Sequence, residues 1–302
     1  MIQNQAKCEL CPRRCGVNRN IGERGFCGSG AQPQIFRYGP HNGEEPPVSG
    51  THGSGTIFFS RCTMHCVYCQ NYPWSHDGKG NLISVEKLTD ILIELHTLGC
   101  HNWNMVSPTP WLPFLRQAIA TAKNKGAVRP VVFNTSGYER VETLHEFGDM
   151  VDIYLADLRY AFSKSAADGS ETPDYPQVAR KAFQEMWRQS GKLRCDADGI
   201  AVSGTICRIL VLPEHSADAI SNLRWLADNI GTDLDVSIMA QYTPTQRTKA
   251  PPWNRAITRA EYESVCVEAE HLGFNNGWIQ KYEDQTDTAL IGFHMTECVN
   301  GN

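Results

Sequence analysis

Thr56-Ile-Phe-Phe-Ser-Arg-Cys62-Thr-Met-His-Cys66-Val-Tyr-Cys69-Gln-Asn71 joins a short apolar run to three closely spaced cysteines. Thr56 to Ser60 reads as a buried strand. The cysteines follow it in the order C-x3-C-x2-C. Three thiolates this close can converge on one metal cluster. An iron–sulfur cubane held wholly by protein takes four cysteines, so three leave one iron open to another ligand. A catalytic zinc site keeps a vacant position by the same logic. The competing reading is a zinc site completed by His65 or His76, although structural zinc more often shows paired C-x2-C knuckles.

Downstream, strands and helices alternate. Ser84 reads as the cap of a helix with Val85, Leu88, Ile91, Leu92, Leu95 and Leu98 at helical spacing and Gly99 at its stop. Asn102 to Ser107 is the next strand, and Leu112, Leu115, Ile119 and Ala122 mark a second helix. Strands follow at 130–134, 151–158, 206–212, 234–239 and 278–281. Helices fall at 140–147, 175–189 and 259–271, with one more capped by Ser216, and a polar linker runs from Ser163 to Asp174. This alternation implies a parallel sheet with right-handed crossovers. A complete or partial (β/α) barrel fits the number of units better than a small doubly wound sheet, and an open doubly wound sheet remains the alternative.

Sites in such folds form at the carboxyl ends of the strands. The cysteine loop is the first of these ends. Asn134, Thr135 and Ser136 end the third strand, Asp157 and Arg159 the fourth, and Gln241 and Tyr242 the sixth, while Arg208 lies on the fifth. All are expected to face one cavity, where Arg208 would suit a carboxylate held bidentately.

The first 37 residues form a polar head, and 38–55, rich in Gly, Pro and Ser, read as a loop joining it to a main domain over 56–302. In the head, Cys8, Cys11, Cys15 and Cys27 give C-x2-C-x3-C-x11-C, which suits structural zinc or a second, closed cluster. Arg13, Arg14, Arg19 and Arg24 lie among them, as a solvated basic surface or a docking patch for an acidic electron donor. The remaining cysteines of the twelve (Cys100, Cys195, Cys207, Cys266, Cys298) are scattered and read mostly as small core residues.

The chain has 302 residues, a formal net charge of −5 and a pI near 6.1, which argues against nucleic acid as a partner. No stretch approaches the apolar length of a membrane span and the N-terminus lacks a signal-peptide core, so a cytoplasmic location is expected.

The loop after the first strand resembles that of the radical S-adenosylmethionine (SAM) superfamily. The wider stretch from Gly53 to Asn71 is similar to the PflX-like group, relatives of pyruvate formate-lyase activating enzymes with a cysteine-rich head. So are Cys8-Glu-Leu-Cys11-Pro-Arg-Arg-Cys15-Gly, Gly25-Phe-Cys27 and Gly43-Glu-Glu-Pro46. Asn134-Thr-Ser-Gly-Tyr138, Ile153-Tyr-Leu-Ala-Asp157 and Gln241-Tyr-Thr-Pro244 match as well. The resemblance implies a partial (β/α)6 barrel carrying a small metal-binding head. It implies a [4Fe–4S] cluster on Cys62, Cys66 and Cys69, SAM on the open iron, and a 5′-deoxyadenosyl radical that abstracts hydrogen. Tyr68 could then shield the cluster or stack on adenine. The Gly-Gly-Glu turn that commonly holds the SAM amino group is absent, and Asn104-Met-Val-Ser107-Pro-Thr109-Pro110 stands in its place. Asn104, Ser107 and Thr109 become the expected SAM-side contacts, with Asn134, Ser136, Asp157 and Arg208 as further cofactor contacts.

Three functions follow. One is an activating-enzyme-like radical SAM oxidoreductase acting on a protein or peptide, reduced by a flavodoxin- or ferredoxin-type donor. Another applies the same chemistry to a small molecule or natural-product peptide. The third is a zinc-stabilised binding protein without redox chemistry.

Overall fold

The alternating pattern folds into one open, mostly parallel sheet. A computed structural model describes residues 5–283 and 296–297, so Cys298 lies outside the described residues. β1 (Gln34–His41) runs antiparallel to β2 (Ser54–Phe59). From β2 the sheet passes through β4 (Trp103–Val106), β5 (Val131–Thr135), β6 (Ile153–Asp157) and β8 (Ala201–Leu210). It ends with β9 (Asp235–Met239) and β10 (Gly277–Ile279), again parallel. β3 (Asn81–Leu82) and β11 (Thr296–Glu297) pair with β1, and β7 (Arg194–Cys195) with β8.

The strand order is β10-β9-β8-β6-β5-β4-β2-β1-β11. It never reverses between β2 and β10, whereas a doubly wound sheet changes direction at a switch point. Among the described residues no pairing joins the two ends, so the architecture is the partial barrel. β2 is buried at every position, as expected of a parallel strand covered on both faces.

The long helices are α3 (Val85–Thr97), α4 (Leu112–Asn124), α5 (Val141–Phe147), α7 (Tyr175–Ser190), α8 (Ser216–Asn229) and α9 (Arg259–Leu272). Local chemistry starts α3 where expected. Ser84 accepts a hydrogen bond from the Lys87 backbone, and Leu88, Ile91, Leu92 and Leu95 of α3 are fully buried. Thr258 and Glu261 form a reciprocal capping box on α9. No described helix is long and apolar enough to cross a membrane.

Four expectations change. Residues 38–55 carry the second half of β1, the short α1 (Pro46–Ser49) and the start of β2, because Gly39 and Pro40 themselves pair with Thr56 and Gly55. Ser163–Ser170 is a helix, α6, in the supposed linker: its small residues Ser165, Ala166, Gly169 and Ser170 bury a face that hydropathy alone passes over. Ser216 is the first residue of α8 and not its cap; His215 occupies that position without a side-chain bond. β8 starts at Ala201, earlier than the apolar run from Ile206, because its first residues pair with β7. A further short helix, α2 (Tyr72–Ser75), follows the cysteine loop.

The head lies against the barrel. Leu10 O accepts from Thr143 Oγ1 at 2.8 Å, and Glu9 O accepts from Arg140. Arg19, expected among solvated basic residues, is 1% exposed and donates to Gly30 O and Pro110 O at 2.8 and 2.7 Å. Arg13 donates to Thr63 O at 3.4 Å inside the cysteine loop and stacks over Phe26 at 3.7 Å. Arg14 and Arg24 are exposed.

Candidate active site

A cavity opens at the carboxyl ends of β2, β4, β5, β6, β8 and β9, and Cys62, Cys66 and Cys69 all line it. Backbone turns shape the loop: Cys69 N–H donates to Cys66 O at 3.1 Å and Tyr72 N–H to Cys69 O at 3.2 Å. The loop is tied to α6, since Val67 N–H donates to Gly169 O at 2.9 Å. Gly169 has no room for a side chain, because a Cβ there would meet Tyr160 Oη at 2.4 Å. Gln70 Nε2 donates to Gln241 O at 2.8 Å and closes the loop onto the end of β9.

Cys66 is buried, and Cys62 and Cys69 are half-buried in the cavity wall. Burial, then the neighbouring Cys66, pushes the Cys62 thiol up to about 12 and the Cys69 thiol up to about 11. Metal binding replaces those protons, so burial here favours a ligand that neutralises thiolate charge. Polar hydrogens already point at the sulfurs. Met64 N–H donates to Cys62 Sγ at 3.5 Å, Ser75 Oγ lies 3.3 Å from Cys69 Sγ, and Arg159 Nη1 donates to Cys66 Sγ at 3.0 Å. Free thiols, low exposure and hydrogen-bond partners at sulfur fit a cluster bound through these cysteines. His76 lines the same cavity, while His65 stacks on Phe26 at 4.1 Å between ring centres.

The strand-end residues divide. Tyr68, Ser107, Asn134, Ser136, Asp157 and Arg208 line the cavity. Tyr68 is buried, its hydroxyl 2.7 Å from that of Tyr160 and its ring stacked on Trp253 at 5.2 Å. Ser107 has φ +57°, an uncommon conformation for a residue with a side chain, where the chain turns off β4. Asn104 does not reach the cavity; it sits behind it, donating to Glu44 Oε1 at 2.7 Å. Thr109 does not line that cavity either; it donates to Glu139 Oε1 at 2.6 Å and shares a small separate pocket with Cys62, Ser107 and Ser136. Arg208 does hold a carboxylate bidentately, but it is the protein's own Glu45, at 2.8 and 2.6 Å.

Three acidic or basic residues gain prominence from the fold. Glu44 lines the cavity from the loop before β2. Burial would raise its carboxyl, but Arg208 and His41 outweigh that and hold it below the usual range. Its Gly43-Glu-Glu-Pro46 context was visible in sequence, yet nothing local pairs it with a residue on β8. Arg159 was visible as a strand-end residue, while its bond to Cys66 spans 93 positions. Glu139 is buried between Thr109 and Thr135, and burial pushes its carboxyl up to about 7 against their hydrogen bonds.

In the head, Cys8 and Cys11 are buried, Cys27 is half-buried and Cys15 is exposed. Burial raises the Cys8 and Cys11 thiols, and Cys27 adds to both. Among the described residues no three Cys, His, Asp or Glu side chains lie close enough to hold a single metal ion. A cubane differs in kind, since each thiolate binds its own iron. Of the scattered cysteines, Cys100 and Cys207 are buried, Cys266 is half-buried and Cys195 is exposed.

An open parallel barrel with a three-cysteine loop after its first parallel strand, facing polar strand ends across a cavity, defines a class of metal-cluster enzyme. The family model described as the Radical SAM superfamily matches residues 56–223, more than half of the chain, and the chain belongs to that superfamily. A [4Fe–4S] cluster and SAM are the cofactors that membership implies. An uncharacterized protein of Methanocaldococcus jannaschii, MJ0674, is 29% identical over 273 residues, covering 87% of this chain and 74% of that protein.

Proposed function

We propose that the protein is an activating-enzyme-like radical SAM oxidoreductase that abstracts hydrogen from a protein or peptide. One observation carries the reading: Cys62, Cys66 and Cys69 share a cavity with Ser107, Asn134, Ser136 and Asp157. The cysteines would hold the cluster and leave one iron for SAM. The chemistry supplied by the bound pair is one-electron cleavage of SAM to a 5′-deoxyadenosyl radical. Phe59, Met64, Tyr68 and Trp74 exclude water from the cavity wall. Asn134, Ser136 and Asp157 offer hydrogen-bond partners to the ribose and amino-acid groups of SAM. The electron would come from a flavodoxin- or ferredoxin-type donor. The head, with Cys8, Cys11, Cys15 and Cys27, would bind a second cluster, or zinc if the four thiolates draw closer together on binding it.

The test is anaerobic reconstitution followed by assay of iron, sulfide and 5′-deoxyadenosine. Wild-type protein should cleave SAM in the presence of a strong reductant, and Cys66→Ala should not. Zinc alone in the reconstituted protein, or normal cleavage by Cys66→Ala, would overturn the reading.

A further inference from the structure

Arg159 stands just beyond β6 and divides its guanidinium between two acceptors. Nε and Nη2 donate to Asp157 Oδ2 at 2.9 and 2.5 Å, and Nη1 donates to Cys66 Sγ at 3.0 Å. The main chain is braced too. Arg159 N–H donates to Tyr175 Oη at 3.0 Å, and that hydroxyl donates to Ser136 O at 2.7 Å. The Arg159 and Asp157 side chains are only 20% and 17% exposed, so solvent screens this pair weakly.

We infer that Arg159 is a positioning residue that sets the reduction potential of the cluster through Cys66. The inference rests on the three cysteines holding a [4Fe–4S] cluster. Reduction adds one electron from a low-potential donor and moves no proton, so the cluster and its thiolates become more negative by one charge. A guanidinium hydrogen bond to one of those thiolates stabilises the reduced form more than the oxidised form, which raises the potential. Asp157 acts in the opposite sense. Its carboxylate offsets part of the arginine's charge and pins the guanidinium, so Asp157 keeps the increase moderate. The two residues therefore act on the potential with opposite signs, which a purely structural role for the pair does not predict.

The experiment is a redox titration of the reconstituted, SAM-free enzyme, following the reduced cluster by electron paramagnetic resonance. Iron and sulfide are assayed on every sample. For Arg159→Met the reduction equilibrium should weaken about tenfold, a midpoint lower by about 59 mV. Asp157→Asn should move the midpoint upward, and Arg159→Lys, which keeps the charge, should stay close to wild type. An unchanged midpoint in Arg159→Met, or shifts of the same sign in Arg159→Met and Asp157→Asn, overturns the inference. If Arg159→Met assembles no cluster, the other two variants decide: an upward shift in Asp157→Asn with Arg159→Lys near wild type supports it, and no upward shift overturns it. Absence of a [4Fe–4S] cluster from the wild type refutes the site assignment itself, a distinct result.

Discussion

Arg208 grips Glu45 through both edges of its guanidinium, Nε to Oε1 at 2.8 Å and Nη2 to Oε2 at 2.6 Å. The same Nη2 reaches Glu44, so one cation on β8 serves two carboxylates from the loop before β2. All three side chains are buried to 10% exposure or less. Removing one partner of such a group leaves uncompensated charge away from water, which costs about 3–5 kcal/mol. Arg208→Leu should therefore lower the denaturation midpoint strongly. A loss within about 0.5 kcal/mol, as at an ordinary surface site, would contradict the burial described.

Glu139 makes stability depend on pH. Burial raises its folded carboxyl to about 7, above the range of an unfolded glutamate. The folded state then binds the proton more tightly than the unfolded state does. Its stabilising contribution is complete below about pH 4.3 and is lost as pH rises through 7, by about 4 kcal/mol in all. Glu139→Gln carries no titrating proton, so its melting temperature should fall less between pH 5 and 8 than that of the wild type. Parallel curves for the two proteins would show that Glu139 ionises normally.

Gly169 is the point where α6 supports the cysteine loop. Its carbonyl accepts from Val67 N–H, and a Cβ there would lie 2.4 Å from Tyr160 Oη and 3.0 Å from Trp253. Gly169→Ala must displace α6, Tyr160 or the loop, at a cost of about 1–3 kcal/mol. Because the loop carries Cys66 and Cys69, the variant should also retain less iron after reconstitution. Full iron content at wild-type stability would show that the contact is slack.

Gly25 stands against the head's exposed cysteine. A Cβ on Gly25 would lie 2.3 Å from Cys15 Sγ. If Cys15 is a metal ligand, Gly25→Ala should reduce the metal bound by the head while leaving the barrel cluster's absorbance intact. Head metal content equal to wild type would remove Cys15 from the ligand set. Cys207→Ala, at a buried position within β8, should change neither metal pool.

Local spacing alone singled out the three metal-ligating candidates, and the resemblance of the loop supplied the chemistry. Cys62, Cys66 and Cys69 lie within eight residues, so the chain itself keeps them together whatever the rest of the fold does. The strands and helices were legible for a similar reason: period and capping report local conformation and burial, as at Ser84 and along α3. Where apolar content was low the signal failed, and α6, built on Ala, Gly and Ser, read as a linker.

Partnership was not legible. The segment in place of the Gly-Gly-Glu turn supplied Ser107 but also nominated Asn104 and Thr109, which turn to Glu44 and Glu139, while carboxyl-end position brought Asn134, Ser136 and Asp157 to the cavity. Carboxyl-end position also nominated Arg208 for a ligand's carboxylate when Glu45, 163 positions away, already occupies it. Hydrophobic periodicity records that a side chain is buried and carries no term for which distant group it meets. The three cysteines were therefore written in the sequence. That Arg159 aims at one of them, and that Glu44 is held charged in the cavity wall, was decided by the packing of loops and strands far apart in the chain.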